Sequence, residues 1–294
     1  MNNVLNNNWN SQVLNNATLI RSGAGFMETY DLHNGNILKV VKGIEQLERD
    51  DLIRYYRMFQ EELNSKINLS KYIDIPDIVL PNNAYYSEEG IKAYTVPKVI
   101  NGLQLEQILP KINSLRLYGA ILSKLTKRIR TLNENGIILP DLITASNIFY
   151  DYKSDSFNFI DYDGMQIWYS KSFSISNCLF VIDGPINNTE KYGNYEQYTS
   201  NLDKLSLLIL FFCFTNGINI IDRINEQLAV VPELDLAIEM TLNKLGIEKC
   251  DYLHIAISQL YSSDENCYPD QVFDRFSNEY QMYKEKKKVR RFFK

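Results

Sequence analysis

The chain is short of cysteine and histidine, and this narrows its chemistry early. Its four cysteines (Cys178, Cys213, Cys250 and Cys267) are scattered, with no Cys-x-x-Cys pair, and Cys213 sits in an apolar stretch. That spacing argues against a zinc site and against a disulfide framework, and it suits a reducing cytoplasm. Long hydrophobic runs are missing as well. The longest, Leu205 to Phe214, is interrupted by Ser206 and falls well short of the roughly 20 residues a membrane helix needs. The first residues, MNNVLNNNWNSQVLNN, are rich in Asn and lack the basic start and apolar core of a secretory signal. Together these absences lead us to expect a cytoplasmic protein with no transmembrane segment.

What remains is an ordinary globular composition, 45% hydrophobic and 23% charged over 294 residues. That length suits one bilobal unit or two small domains. The net charge of −5 is uneven: residues 284–294 (KEKKKVRRFFK) carry seven basic residues and one Glu, which leaves about −11 on the rest. The tail reads as a solvated helix end with basic charge at its C-terminus. The alternative is contact with nucleic acid or an anionic membrane, with Phe292 and Phe293 as apolar anchors, but nothing else in the chain reads as a nucleic-acid groove, so a nucleic-acid partner is not expected.

The most informative segment runs from Gly136 to Gly164, GIILPDLITASNIFYDYKSDSFNFIDYDG. It reads as an apolar strand, a loop bearing Asp141, then Asn147, a hairpin of two strands, and a final strand ending at Asp161. Asp141 is placed to orient a hydroxyl nucleophile. Asn147 and Asp161, with Asp163 beside them, offer the hard oxygen donors that Mg²⁺ takes.

Upstream, residues 17–42 read as hairpin-rich sheet. Asn34-Gly35 is a hairpin-turn signal, and Gly23-Ala24-Gly25 is a turn whose missing Cβ atoms would let backbone N–H groups approach phosphates. In Ile37-Leu38-Lys39-Val40-Val41 a lysine stands mid-strand among apolar neighbours. An ammonium there needs an acid partner or an anionic ligand. Lys42 is the alternative lysine, although Gly43 beside it suggests a strand end. Residues 44–70 have helical composition, with Leu47, Leu52, Tyr55, Phe59, Leu63 and Ile67 on one face. Asp77–Pro81 and Ile91–Val96 read as two strands across the polar turn NNAYYSEEG. A Gly-containing connector around Lys98–Gly102 then marks a boundary near Val99. Residues 112–135 form the clearest helix, with Leu115, Tyr118, Ile121, Leu122, Leu125, Ile129 and Leu132 on its apolar face and Asn135-Gly136 as the stop. Residues 165–199 are irregular and rich in Ser, Asn and Tyr. A buried helix opens at Thr199 and runs past Asp203, and residues 218–283 read as further helices with Leu242, Leu245, Ile255, Ile257 and Leu260 as core candidates.

The order Asp141, Asn147, Asp161-Tyr162-Asp163-Gly164, preceded by a glycine turn and a strand lysine, resembles the protein kinase-like superfamily over about residues 17–217. The chain departs from that pattern in four ways. Leu139 and Pro140 replace the His-Arg pair before Asp141, and Asn147 lies six residues after Asp141 rather than five. Asp-Tyr-Asp stands for Asp-Phe-Gly, and Glu28 occupies the third glycine's place. The resemblance implies an α+β, bilobal fold with a mainly β N-lobe (residues 1–99) and a mainly helical C-lobe (residues 100–294).

It further implies that Lys39 and the loop at Gly23 and Gly25 bind the phosphates of ATP. Glu62 (or Glu61) would pair with the lysine, and backbone groups near Lys98 and Val99 would meet the adenine edge. Asn147, Asp161 and Asp163 would bind Mg²⁺, and Asp141 would accept the substrate proton. Asp203, early in its helix, would bond the catalytic-loop backbone. The implied activity is Mg²⁺–ATP-dependent phosphoryl transfer to Ser or Thr of a protein substrate. The alternatives are a catalytically silent binding module on the same fold, or transfer of phosphoryl or AMP to another acceptor.

Overall fold

The computed structural model describes residues 5–22, 27–42, 50–72, 75–88, 90–112, 115–139 and 145–167, with isolated positions and short stretches between Leu142 and Phe273. In chain order the strands and helices begin with β1 (Leu5–Asn8), β2 (Thr18–Ser22), β3 (Met27–Asp31), β4 (Asn36–Val41), α1 (Asp50–Ser70), β5 (Asn83–Ser87) and β6 (Gly90–Pro97). They continue with β7 (Leu103–Gln104), α2 (Leu105–Ile108), α3 (Leu115–Glu134), β8 (Ile137–Ile138), β9 (Ile148–Asp151), β10 (Ser156–Phe159) and β11 (Gln166–Ile167), and a hairpin of β12 (Thr189–Tyr192) and β13 (Tyr195–Tyr198). The architecture is mixed α+β. Among the described residues no helix is long and apolar enough to cross a membrane.

Two compact units divide the chain. The first takes residues up to Leu103 and then regains Asn147–Met165. The second holds Gln104–Ser146 and most residues beyond Met165. The boundary therefore falls a few residues after Val99. The hairpin that carries the acidic turn belongs to the first unit, whereas sequence alone groups it with the helical part.

The first unit is built on a six-stranded sheet in the order β1-β5-β6-β4-β3-β2. All neighbours are antiparallel except β1, which lies parallel to β5. Alternation along β4 divides its side chains between two cores. Leu38 and Val40 face one, with Ala93, Tyr30 and residues Trp9, Val13 and Leu14 of the N-terminal segment. Val41 and Ile37 face the other, against α1. From that helix Tyr56, Phe59, Leu63 and Ile67 pack onto Ala84, Ile91, Tyr94 and Val96. Their spacing is the apolar stripe expected from the sequence, with Tyr56 added; the side chains of Leu47, Leu52 and Tyr55 lie outside the described residues.

Two local expectations change. The Asn34-Gly35 turn is longer than a two-residue hairpin: Leu32 N–H donates to Asn36 O at 3.1 Å, and both His33 and Gly35 have positive φ. The strand that pairs with β6 on the side away from β4 is β5, within the stretch read as a polar turn, because its tyrosines give Asn83–Ser87 the side chains a strand needs. Asp77–Val79 instead runs beside β10, with Phe159 N–H donating to Asp77 O at 2.7 Å and Val79 N–H to Phe159 O at 2.9 Å.

In the second unit α3 buries Tyr118, Ile121, Leu122, Leu125, Ile129 and Leu132, as its periodicity predicts. It ends where Gly136 takes φ +73° and donates to Asn133 O at 2.8 Å, a left-handed cap that glycine adopts freely. Strand β8 comes directly after it and pairs with β11.

Candidate functional site

The lysine that needed an acid has two. Strand β4 carries Lys39 opposite Thr29 of β3 and Tyr94 of β6. Its ammonium donates to Asp161 and to Asp163. These aspartates flank Tyr162 in the short turn after β10. That turn begins with Asp161 in the left-handed region, at φ +71° and ψ +43°, a conformation that aspartate tolerates better than most residues and that is concentrated at functional sites. The Tyr94 hydroxyl also donates to Asp163.

Asn147 lies one residue before β9. Its carbonyl accepts from Ile160 N–H at 3.0 Å, which extends the β9–β10 ladder to the residue before Asp161. The fold thus brings Lys39, Asp161 and Asp163 into contact within the first unit, with Asn147 joined through its backbone to the residue before Asp161. Asp141, Gly23 and Gly25 lie outside the described residues.

Electrostatics separates the two carboxylates. For Asp163 burial opposes ionisation, but the charge and hydrogen bond of Lys39 and the Tyr94 hydroxyl outweigh it and hold the carboxyl below its usual range. Burial also raises Asp161. Lys39 counters this, while the neighbouring Asp163 charge adds to it, and the balance leaves Asp161 above the usual range. The Lys39 ammonium is desolvated, yet the two aspartates together hold its proton more tightly than water would. The Asp161 side chain is 34% exposed and that of Asp163 only 11%, so Asp161 is the open member of the pair.

Helix α1 contributes beneath this turn. Of the two acids left open by the sequence, Glu61 is exposed and Glu62 is buried. The Glu62 carboxylate lies 3.6 Å from Lys66. Lys39 meets the carboxylates of the Asp161–Asp163 turn, whereas the resemblance implied Glu62 or Glu61 as its acid. Lys66 is fully buried and donates to the Asp163 carbonyl at 2.8 Å, while the Tyr162 hydroxyl donates to the Lys66 carbonyl at 3.2 Å. Sequence reasoning misses both Lys66 and Tyr94. The signal for Lys66 is its place three residues after Leu63, on the helix's apolar stripe and one turn beyond Glu62.

Glu28, the acid in place of a third glycine, turns away from the lysine. It accepts from the Tyr30 hydroxyl at 2.8 Å, on the sheet face that Tyr30 shares with Leu38 and Val40. The Lys98 N–H donates to Gly35 O at 2.9 Å, and its ammonium pairs with Asp31 at 2.5 Å. Those groups are therefore engaged within the sheet's own turn, which counts against the Lys98 N–H as a contact to an adenine edge. Val99 is half-buried beside it.

In the second unit Asp203 is buried and accepts from Leu139 N–H at 3.0 Å and from the Asn133 side chain at 2.6 Å. Tyr268 donates its hydroxyl to Asn133 at 2.8 Å. The backbone two residues before Asp141 is therefore tied to the helix that carries Asp203.

Two carboxylates and a carboxamide are the donor types Mg²⁺ takes, since it binds few protein oxygens and keeps waters or phosphates for the rest. Among the described residues no group of three or more His, Cys, Asp or Glu is gathered to hold a metal, so any cation here would rest on the two aspartates with an amide or ligand oxygens. No protein-family profile matches the chain, and no curated protein matches it in sequence.

Proposed function

We propose that the chain is a bilobal, protein kinase-like enzyme of the cytoplasm that uses Mg²⁺–ATP to phosphorylate Ser or Thr on a protein. The observation that carries this reading is the meeting of Lys39 with Asp161 and Asp163, groups more than 120 residues apart in sequence. A strand lysine facing an acidic turn is the arrangement phosphoryl transfer uses, because catalysis there is mostly positioning and charge neutralisation. The bond from Leu139 to Asp203 supports the same reading, since it fixes the backbone leading into Asp141.

In this mechanism Lys39 would hold phosphate oxygens of the nucleotide, and Gly23 and Gly25 would let the loop backbone approach them. Asp161 and Asn147 would supply oxygens to Mg²⁺, with Asp163 as a further acceptor. Asp141 accepts or orients the substrate hydroxyl proton. When bound, ATP would supply the transferable phosphoryl group and Mg²⁺ would offset part of its negative charge. The outward-facing Glu28 removes one source of repulsion toward the phosphates.

A second reading is a nucleotide-free binding module, favoured by the full pairing of Lys39 with both aspartates. Intact mass of the chain and of candidate protein acceptors after incubation with Mg²⁺–ATP separates these possibilities. Gain of a phosphoryl group is expected. Gain of an AMP moiety would replace kinase by AMP-transferase activity. No gain, together with no thermal shift on adding Mg²⁺–ATP, would leave the binding module.

A further inference from the structure

The two aspartates of the turn are held very differently, and the difference points to separate roles. Asp163 is gripped from three elements. Lys39 of β4 and the hydroxyl of Tyr94 of β6 meet its carboxylate, and Lys66 of α1 donates to its carbonyl at 2.8 Å. Tyr94 and Lys66 are both buried, at 1% and 0% exposure. Asp161 shares the Lys39 ammonium, but its side chain is three times as exposed as that of Asp163.

A buried ammonium is costly unless its partners are fixed. Lys66 has two, Glu62 at 3.6 Å and the Asp163 carbonyl, and the Tyr162 hydroxyl returns a bond to the Lys66 carbonyl. Helix and turn are thus joined in both directions. Lys39 is the one cation of this group whose proposed task requires it to leave the aspartates for a phosphate. When it does, Tyr94 and Lys66 still hold Asp163.

We propose that Tyr94 and Lys66 are positioning residues that fix Asp163 as a strut of the turn, leaving Asp161 as the carboxylate presented to the cation. This rests on the Mg²⁺–ATP reading and assigns the two aspartates unequal parts in it. Asp163 acts by setting the left-handed turn at Asp161, so loosening its anchors weakens metal capture while leaving the nucleotide's other contacts alone. Partners that orient metal-binding groups commonly change metal affinity by about 10–100-fold when removed.

The test compares the full chain with Tyr94→Phe and Lys66→Met. Nucleotide affinity is measured in EDTA with a fluorescent ATP analogue, and the Mg²⁺ half-saturation is then read from the thermal shift at saturating ATP. For Tyr94→Phe we expect unchanged affinity in EDTA and a Mg²⁺ half-saturation raised by roughly tenfold. Lys66→Met should behave in the same way. Combining Tyr94→Phe with Asp163→Asn should add little beyond Asp163→Asn alone, because both act on one bond.

If wild type responds to Mg²⁺ and Tyr94→Phe has the same half-saturation, the positioning role is overturned and the kinase reading stands. If wild type shows no Mg²⁺-dependent shift, both are overturned. Should Lys66→Met fail to fold, Tyr94→Phe, which removes a single hydroxyl, decides alone.

Discussion

Lys39 and Asp161 stand 122 residues apart in the chain and meet in one hydrogen-bonded ion pair, with Asp163 completing the contact. The ammonium thus neutralises one of two adjacent carboxylates that would otherwise repel each other in a partly dry site. Under the proposed function, stability and nucleotide binding would be linked through this one group.

Lys39→Met is expected to destabilise the chain by about 2–4 kcal/mol. That is below the upper range for breaking a buried pair, because Asp161 is a third exposed. Added Mg²⁺ should restore more stability to this variant than it gives wild type, because the dication replaces the lost positive charge. Urea unfolding with and without Mg²⁺ measures both effects, and ATP binding should be lost. Equal response to Mg²⁺ in the two proteins would mean the aspartates do not share a cation site.

Asp161→Ala should abolish transfer and leave the chain folded, since Lys39 retains Asp163 and Tyr94 still donates to that carboxylate. Circular dichroism melting checks the fold, and intact mass checks transfer. Retained transfer would remove Asp161 from the metal assignment.

Asp203 gives a pH signature with a definite sign. Burial pushes its carboxyl up to about 7 despite the hydrogen bonds from Asn133 and Leu139, whereas an unfolded aspartate titrates near 3.9. The folded state therefore binds the proton more tightly. This contribution to stability is complete below the unfolded value and is lost as pH rises through the folded one. Between about pH 4 and about pH 7 wild type should lose melting temperature relative to Asp203→Asn, whose profile lacks this slope, and above that range the difference should level off. Parallel profiles would show that Asp203 is ionised throughout the range.

Gly102→Ala should cost about 1–3 kcal/mol. Gly102 has φ +119°, and an added Cβ would lie 3.2 Å from the Tyr150 carbonyl. Gly35→Ala is the comparison: it shares a positive φ but meets nothing within 4 Å, so its loss should be smaller. Chemical unfolding of both variants ranks them.

Legibility from the sequence tracks the range of the interaction. Helix α3 is readable almost residue by residue, because its apolar period and its Asn135-Gly136 stop are local signals. Lys39 is readable as a cation needing an acid, because an unpaired ammonium among apolar strand neighbours is costly wherever it occurs. Which acid it meets depends on the Asp161–Asp163 turn entering the first unit, and no local pattern states that. Lys66 escapes notice because surface lysines are the common case and amphipathic bookkeeping assigns them to solvent. Asn83–Ser87 is misread because asparagine and serine signal turns, while the tyrosines that make it a strand act through packing across the sheet.

The return of Asn147–Met165 to the first unit has a consequence for biosynthesis. Strand β4 leaves the ribosome long before the residues that neutralise its lysine, and closing so wide a loop is slow compared with forming local hairpins. A nascent chain halted before residue 161 holds an ammonium on β4 without these two counterions. Neutralisation of the lysine in the amino-terminal sheet therefore waits until residues 161–163 have been synthesised.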